Sequence, residues 1–571
     1  MYIGIDVGGT FTDAILLDNA LEPVAAAKIP TAQHDLLTCV TAALDAVMSS
    51  GNIKRQNINR LVLSTTLITN LIAQRKLEPV AMILIPGPGV NPAQYHFDVD
   101  FFVISGAIDY RGREIAPLKI AEILEAMHEI VRRNIRKVAV VGKFSPRNPN
   151  HEKAVESLIH REFPEIEVLT GHLVSGRLNF PRRAATTFLT LGTRARYEEF
   201  LHEIQNALRE RNITAPAYIL KADGGTMPIQ ASLKAPVETI LSGPAASVTG
   251  ALALTPPGET SVVVDIGGTT TDLALILNGV PLLASKGARI AGFLTQVRAY
   301  AVHSVPVGGD TAIKAEQGRL ILSGERQGPA ACLGGPQPTP TDAMRLLGLT
   351  SIGDVELARK AVSPLADQAG LNLEAAAEQI LEETVQKIAE AINHMFRQWE
   401  LEPAYRVWEI LQGRKVRPQN IVGIGGAAPV LIPLLAQKMG CRPIVPEMAP
   451  VANALGAALA RPTLTATLRA DTELGTYTIE EAGVHDRLPG GRSFPGPDAR
   501  ELAGTWLKKM ASQAGIEEYA DQAEVLHEEV FNVVQGWTTK GKIYDVSIQI
   551  TPGIIGRPGQ RLDKEGDVYG R

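Results

Sequence analysis

YIGIDVGGTFTDAILLD, residues 2–18, and VVVDIGGTTTDLALILNG, residues 262–279, are the two stretches on which the reading of this chain turns. In each, a short β-branched or apolar run enters a Gly-Gly-Thr turn and a second run leaves it, the pattern of a β-hairpin. Set Asp6–Asp13 (DVGGTFTD) beside Asp265–Asp272 (DIGGTTTD), and six of the eight positions are identical. Gly-Gly is ordinary turn chemistry and would explain one copy. Two near-identical copies in different halves of the chain predict a pair of hairpins facing a shared ligand. Gly8, Gly9, Gly267 and Gly268 permit positive φ and bring bare backbone N–H groups close to an anion. Thr10, Thr12, Thr269, Thr270 and Thr271 exceed what a turn requires and add hydroxyl donors. Asp6 and Asp265 fall at strand ends, where they are placed to hold a hydrated Mg²⁺, an ion that keeps several waters and takes one or two carboxylates. Asp13 and Asp272 end the turns, either capping the hairpin or orienting water.

Working outward, strand-like and helix-like segments alternate. PVAAAKIP (23–30) reads as the third strand of a meander. RLVLST and EPVAMILIP enclose a helical LITNLIAQRK, and KVAVVGKF (137–144) reads as a buried strand between helices at about 117–134 and 150–162. This alternation predicts an α/β architecture. A long helix is expected over about 182–212, and helices again at about 354–364 and 372–400. NIVGIGGAAPVLIPLLAQKMG (420–440) reads as strand, glycine turn, helix. Gly425, Gly426 and Ala427 there precede a helix N-terminus, which carries partial positive charge and free N–H groups. Gly308, Gly309 and Asp310 form a third turn, either plain or touching phosphate or metal. Thr65, Thr66 and Asn70 open a predicted helix, where capping is the ordinary reading. Asp342 reads as a helix N-cap. The expected units are residues 1–180 with the first hairpin, 181–461 with the second, and a small α/β unit at 462–571 ending in a polar, Gly-rich tail.

The 571 residues exceed what one core organises. A net charge of −5 leaves no basic footprint for nucleic acid or for an anionic membrane. No apolar run reaches membrane-spanning length. Cys39, Cys332 and Cys441 are scattered without a CxxC, which argues against a structural zinc site and fits a reducing cytoplasm. The chain enters a strand pattern at once, so no export signal is expected. His151, His172, His303 and His394 show neither HxxxH nor HExxH spacing and read as ordinary histidines.

Two DxGGTxTD hairpins followed by a glycine-rich strand–helix turn resemble the two-lobed, actin-like ATPase fold of duplicated ribonuclease H-like domains, shared by actin, sugar kinases and heat-shock chaperones. Within it, residues 1 to about 465 are most similar to the hydantoinase A/5-oxoprolinase family. The likeness rests on DVGGTFTD, LSTTLITNLIAQRK, GAIDYRGR, GKFSPRNPNHE, LSGPAASVTGA, DIGGTTTD, TPTDAMRLLG and GIGGAAPV. It implies that the hairpins grip ATP phosphates from opposite sides of a cleft, that the 425–427 turn contacts adenosine, and that Thr65, Thr66 and Asn70 lie near substrate. It further implies catalysis by Asp6, Asp13, Asp265 and Asp272 with ATP and Mg²⁺. The activity implied is ATP-driven opening of a hydantoin, 5-oxoproline or related lactam through phosphorylation of its carbonyl oxygen. Alternatives are a carboxylase subunit activating bicarbonate or a ketone, and an ATP-switched binding module. A separate B-type subunit and homo-oligomerisation both stay open. Two departures stand out. Leu63 occupies a position where relatives usually carry histidine, and VPVGGDTAIK replaces a longer glycine-serine run.

Overall fold

The computed structural model describes residues 1–571 except 33, 52–54, 96, 98, 402–415, 536 and 559–571. The first hairpin forms as its alternation of apolar runs and glycines dictates. Strands Tyr2–Val7 and Phe11–Leu17 pair antiparallel with Asp6 opposite Asp13, and the Gly8 N–H closes the turn on the Phe11 carbonyl at 3.0 Å. Pro23–Pro30 lines the outer edge, where a strand bounded by prolines costs no ladder bonds. On the inner side Arg60–Thr65 runs parallel, placing Ser64 beside Asp6, and Ala217–Leu220 continues the sheet. Thr226–Pro228 closes it, so this six-stranded sheet draws strands from both sides of residue 180.

The second hairpin repeats the plan. Ser261–Ile266 and Thr271–Leu277 pair with Asp265 opposite Asp272. Asn420–Ile424 and Arg442–Ile444 then follow in parallel on the inner side. Each sheet therefore carries its Gly-Gly-Thr turn beside the carboxyl ends of parallel strands, the edge where α/β sheets bind ligands.

Between Arg60–Thr65 and Ala217–Leu220 the chain inserts a parallel four-stranded sheet. Its order is Glu167–Thr170, Lys137–Gly142, Val80–Ile85, Phe101–Val103. The long helix Phe180–Glu210 packs on it and buries residues around most of its circumference in its first four turns.

Two helices cross between the hairpin sheets, Ser242–Leu254 and Ala452–Leu459. Both are rich in glycine and alanine because backbone meets backbone there. A Cβ on Gly456 would stand 2.0 Å from the Ala246 carbonyl oxygen, and one on Gly250 2.1 Å from that of Ala452. Strand residue Gly4 is held as tightly, with a virtual Cβ 2.0 Å from the Ala454 oxygen.

Residues 464–550 form a five-stranded antiparallel sheet with helix Gly496–Ala514 on one face. The sheet is its own, but its core is continuous with the crossing helices, joining Leu468, Val546 and Leu507 to Ala246, Ala452 and Ala457. Arg111, from the inserted region, fastens it by ion pairs to Asp471 (2.9 Å) and Glu473 (2.7 Å). No helix among the described residues is long and apolar enough to cross a membrane.

Candidate nucleotide-phosphate site

Strand alternation explains the layout of each hairpin. The turns Gly9–Thr10 and Thr269–Thr270 are exposed, while Asp6 beneath the first is only 3% exposed. A Cβ on Gly9 or Gly426 would meet nothing within 4 Å, so both border open space. The threonines divide. Thr10, Thr269 and Thr270 are exposed at the tips. The expectation that Thr12 lends its hydroxyl to a ligand is corrected, because Thr12 is fully buried and its hydroxyl bonds that of Thr31 at 2.9 Å. Thr271 is buried likewise and donates to the Val307 carbonyl at 2.6 Å. In both hairpins this threonine is a strand residue rather than a turn residue, and it falls on the face opposite the neighbouring aspartate, with Ala14 and Leu16 in one sheet and Leu273 and Leu275 in the other.

Placing aspartates directly opposite one another across an antiparallel pair sets like charges together. Burial pushes the Asp6 carboxyl up to about 6, with the polar side chains of Ser64 and Asn453 opposing the rise and the charges of Asp13 and Asp265 adding to it. Burial also raises Asp272 to about 6, and Asp265 contributes. Asp13 is raised by burial although Lys28 Nζ sits 2.7 Å from it. The same ammonium donates to the Pro450 carbonyl.

The crossing helices bring the two hairpins into one network. Ser247 Oγ donates to Asp265 Oδ2 at 2.5 Å and lies 3.0 Å from the Asn453 side-chain oxygen. The Asn453 side chain lies near both Asp6 and Asp265 and opposes the rise that burial gives each carboxyl. Ser64, beside Asp6 in the paired strands, donates to Ser242 at the start of the other crossing helix. Asp6 and Asp265, far apart in sequence, thus both lie beside one amide. Lys28, Ser247 and Asn453 were not singled out by sequence reasoning. The available signal was a lone asparagine inside the apolar, small-residue segment VANALGAALA.

The other turns close on the second hairpin. The Gly309 and Asp310 N–H groups donate to the Gly267 and Gly268 carbonyls at 2.9 and 2.7 Å. Gly308 has to be glycine, since a Cβ there would stand 2.6 Å from the Gly267 oxygen. Gly425, at φ +89°, lies against the Ile266 carbonyl and 3.3 Å, by its virtual Cβ, from Asp265 Oδ1. Asp310 pairs with Arg326 at 3.0 Å. Thr65 exchanges backbone bonds with the Ser242 hydroxyl, and its own Oγ1 accepts from Leu67 N. Thr66 is the N-cap residue of helix Leu67–Ala73 without a side-chain cap bond, and Asn70 reaches it weakly at 3.4 Å. Leu63 is fully buried in the core beneath.

Asp342 is not the N-cap it was expected to be. Thr339 is, and Asp342 stands three residues on in a capping box, also accepting from the Ala331 and Cys332 N–H groups. His303 and His394 come together at 6.3 Å between ring centroids, whereas His172 is bound to Glu152.

Among the described residues no group of three or more His, Cys, Asp or Glu is set to hold a metal ion unaided. The aspartates nevertheless suit Mg²⁺. Asp6 Oδ1 is buried with no hydrogen-bond partner, and Asp265 lies close enough for its charge to raise the Asp6 carboxyl. One or two carboxylates completed by water and phosphate oxygens is this ion's usual protein shell.

The sequence matches the hydantoinase/oxoprolinase N-terminal region over residues 2–163 and hydantoinase/oxoprolinase over residues 183–466. The chain belongs to the hydantoinase/oxoprolinase family. It is 27% identical over 510 residues to an uncharacterized protein of Methanocaldococcus jannaschii, covering 80% of this chain and 72% of that one. It is 24% identical over 490 residues to the caprolactamase subunit alpha of Pseudomonas jessenii, covering 78% and 68%. It is 26% identical over 391 residues to the acetophenone carboxylase gamma subunit of Aromatoleum aromaticum, covering 61% and 53%. Among solved structures it resembles ATP-dependent caprolactamase from Pseudomonas jessenii, with TM-score 0.68 and 19% identity over 96% of this chain and 87% of that chain. It resembles nucleotide-free acetone carboxylase equally, with TM-score 0.67 and 19% identity over 98% and 88%. At that identity the likeness concerns the fold, a mixed α/β architecture with several sheets.

Proposed function

We propose that this member of the family is an ATP-dependent enzyme that opens a cyclic amide by phosphorylating its carbonyl oxygen. The observation that carries the reading is the convergence of two DxGGTxTD hairpins on Asn453, with the turns at 308–310 and 425–427 packed against the second hairpin. Two sheets of matching strand order, joined by crossing helices, support a two-lobed, actin-like ATPase arrangement.

An amide carbonyl is a poor electrophile, and ATP as co-substrate supplies the activation. The lactam oxygen attacks the γ-phosphorus while the bond to ADP breaks. Water adds at the activated carbon and the C–N bond breaks, freeing the amine and leaving an acyl phosphate. A second water cleaves that to a carboxylate and inorganic phosphate. Catalysis of such transfer is positioning plus charge neutralisation. The turn backbone at Gly9 and Gly268 with Thr10, Thr269 and Thr270 would receive phosphate oxygens, the Gly8 and Gly267 N–H groups being committed to closing the turns on Phe11 and Thr270. Asp6 and Asp265 would hold Mg²⁺, which neutralises charge developing on those oxygens when bound. Gly425–Ala427 would border the nucleoside. Asp13 is tied to Lys28, which favours a positioning role for it, whereas Asp272, pushed to about 6, suits transient proton acceptance.

A second reading, a carboxylase subunit activating bicarbonate or a ketone, is favoured by the likeness to acetophenone and acetone carboxylase subunits. Mg-ATP-dependent phosphate release with 5-oxoproline, hydantoins, simple lactams, or bicarbonate plus ketones separates the readings. Stimulation by a lactam without bicarbonate supports the first, and a strict bicarbonate requirement supports the second. Basal release unmoved by every compound would count against self-sufficient catalysis and point to a B-type partner subunit. Absence of nucleotide binding would overturn both.

A further inference from the structure

The C-terminal sheet leaves one edge open. Its strands run in the order Val484–Arg487, Thr476–Ile479, Leu464–Asp471, Thr538–Ile550, Ala523–Gln535. The last of these pairs with Thr538–Ile550 on one side and with no strand among the described residues on the other. It is 13 residues long, AEVLHEEVFNVVQ, and holds neither proline nor lysine. Shortness, proline and lysine are the usual means by which a sheet edge is kept from pairing with another chain. Val525, Val530, Phe531 and Val534 are exposed on it, and Trp537 just beyond is fully exposed.

This edge also overhangs its own sheet. Pairing with Leu464–Asp471 stops at Ile543, opposite Asp471, whereas the last two strands stay paired as far as Gln535 and Thr538. Residues 532–535 and 538–542 therefore stand out as a two-stranded arm, and such a ribbon is marginal in water by itself. Bulges between Val525 and His527 and between Val533 and Val534 bracket a regular run, His527–Val533, whose middle residue is Val530. Directly opposed residues share a face of the sheet. Glu528 with Val546, Val530 with Tyr544 and Asn532 with Lys542 are three successive rows on one face. Charge is divided along the arm, with Glu528 and Glu529 toward its base and Lys540 and Lys542 toward its tip.

We propose that strand Ala523–Gln535 pairs antiparallel with the same strand of a second copy of this chain, about a two-fold axis at Val530. The whole regular run is then used, with Glu528 opposite Asn532 and Glu529 opposite Phe531 of the second copy. The central row reads Tyr544, Val530, Val530, Tyr544 and is apolar throughout. Each row beside it reads Val546, Glu528, Asn532, Lys542. The base of one arm thereby meets the tip of the other, and Lys542 reaches over Asn532 toward Glu528 across two strand spacings, roughly 10 Å. Slipping the register toward the base sets Glu529 against Glu529 and then Glu528 against Glu528, and like charges directly opposed destabilise. Slipping it toward the tip runs into the bulge at Val533–Val534. Two-fold pairing uses up both open edges, so assembly stops at the dimer. The inference stands apart from the activity proposed above.

The test is sedimentation equilibrium of the full chain. Wild type should show twice the protomer mass at micromolar concentration. Val530→Glu and Val530→Lys, at an exposed position, should each weaken the dimer about a hundredfold, because like charges then face one another across the axis. An equimolar mixture of the two variants should restore the dimer, since opposite charges now meet. Should either variant fail to fold, Val530→Cys serves in its place, and oxidation should join the two copies by a disulfide at position 530. A wild-type monomer that associates only with a different protein, a monomer at every concentration, a dimer indifferent to the substitutions, or a mixture that stays monomeric would each overturn the proposal.

Discussion

Asp6 concentrates the chemistry of the site in one carboxyl. It is buried, faces Asp13 across the hairpin, and leaves Oδ1 without a partner. Burial raises it to about 6, from 3.8 in the unfolded chain. Between those values the folded chain retains a proton that the unfolded chain has lost, so stability falls as pH rises through the window. Asp6→Asn does not titrate there. Its unfolding free energy should therefore gain on wild type by about 2–3 kcal/mol between roughly pH 4 and 7. Chemical denaturation of the nucleotide-free proteins across that range is the measurement, and parallel pH profiles would contradict it. Asp265→Ala should abolish phosphate release while circular dichroism stays unchanged. Turnover at the wild-type rate in that variant would refute a metal role for Asp265. Asn453→Ala removes the neutral amide that opposes the rise of both Asp6 and Asp265. A loss of kcat of about tenfold is expected, the scale of one pKa unit of polar stabilisation at the two carboxyls.

At the scale of elements, the crossing helices set the distance between the hairpins. Their contact depends on the absence of side chains at Gly250 and Gly456, whose virtual Cβ atoms fall about 2 Å from carbonyl oxygens. Backbone cannot swing aside as a side chain can. Gly456→Ala should therefore cost about 2–3 kcal/mol through helix displacement, despite the better helix propensity of alanine. It should also lower phosphate release, because Asn453 rides on the displaced helix. A melting temperature equal to wild type would show that the helices separate freely. These glycines were visible in SGPAASVTGALAL and VANALGAALA as small-residue runs. That the two runs face one another was not, since neither carries a period that names its partner.

Across the whole molecule, the C-terminal sheet is docked on the inserted region through buried charge. Gly176 packs against Glu480 so closely that a Cβ would stand 2.3 Å from that of the glutamate. Burial and the neighbouring Glu481 raise Glu480 to about 8, with Arg147 opposing the rise. A carboxyl raised in the folded state stabilises below its unfolded value, and that contribution is lost as pH rises toward 8. Hydrogen exchange in residues 175–179 and 480–483, corrected for intrinsic rate, should thus be faster at pH 8.5 than at pH 6.5. Glu480→Gln should remove the difference, and protection that is the same at both pH values in wild type would contradict the account.

The α/β alternation, both hairpins and the glycine turns at 308–310 and 425–427 could be read from residues 2–440, because each is set by local pattern. Alternating apolar runs fix strands, and glycine fixes the turns between them. Family membership was legible for the same reason, as an ordered series of short motifs. Other features needed the tertiary structure. The approach of Asn453 to two aspartates, the pairing of Lys28 with Asp13 and the burial of Thr12 all arise between segments distant along the chain. No local period encodes such contacts. They are decided by which backbones approach closely enough to bury a polar group, and by which groups are then left to satisfy it.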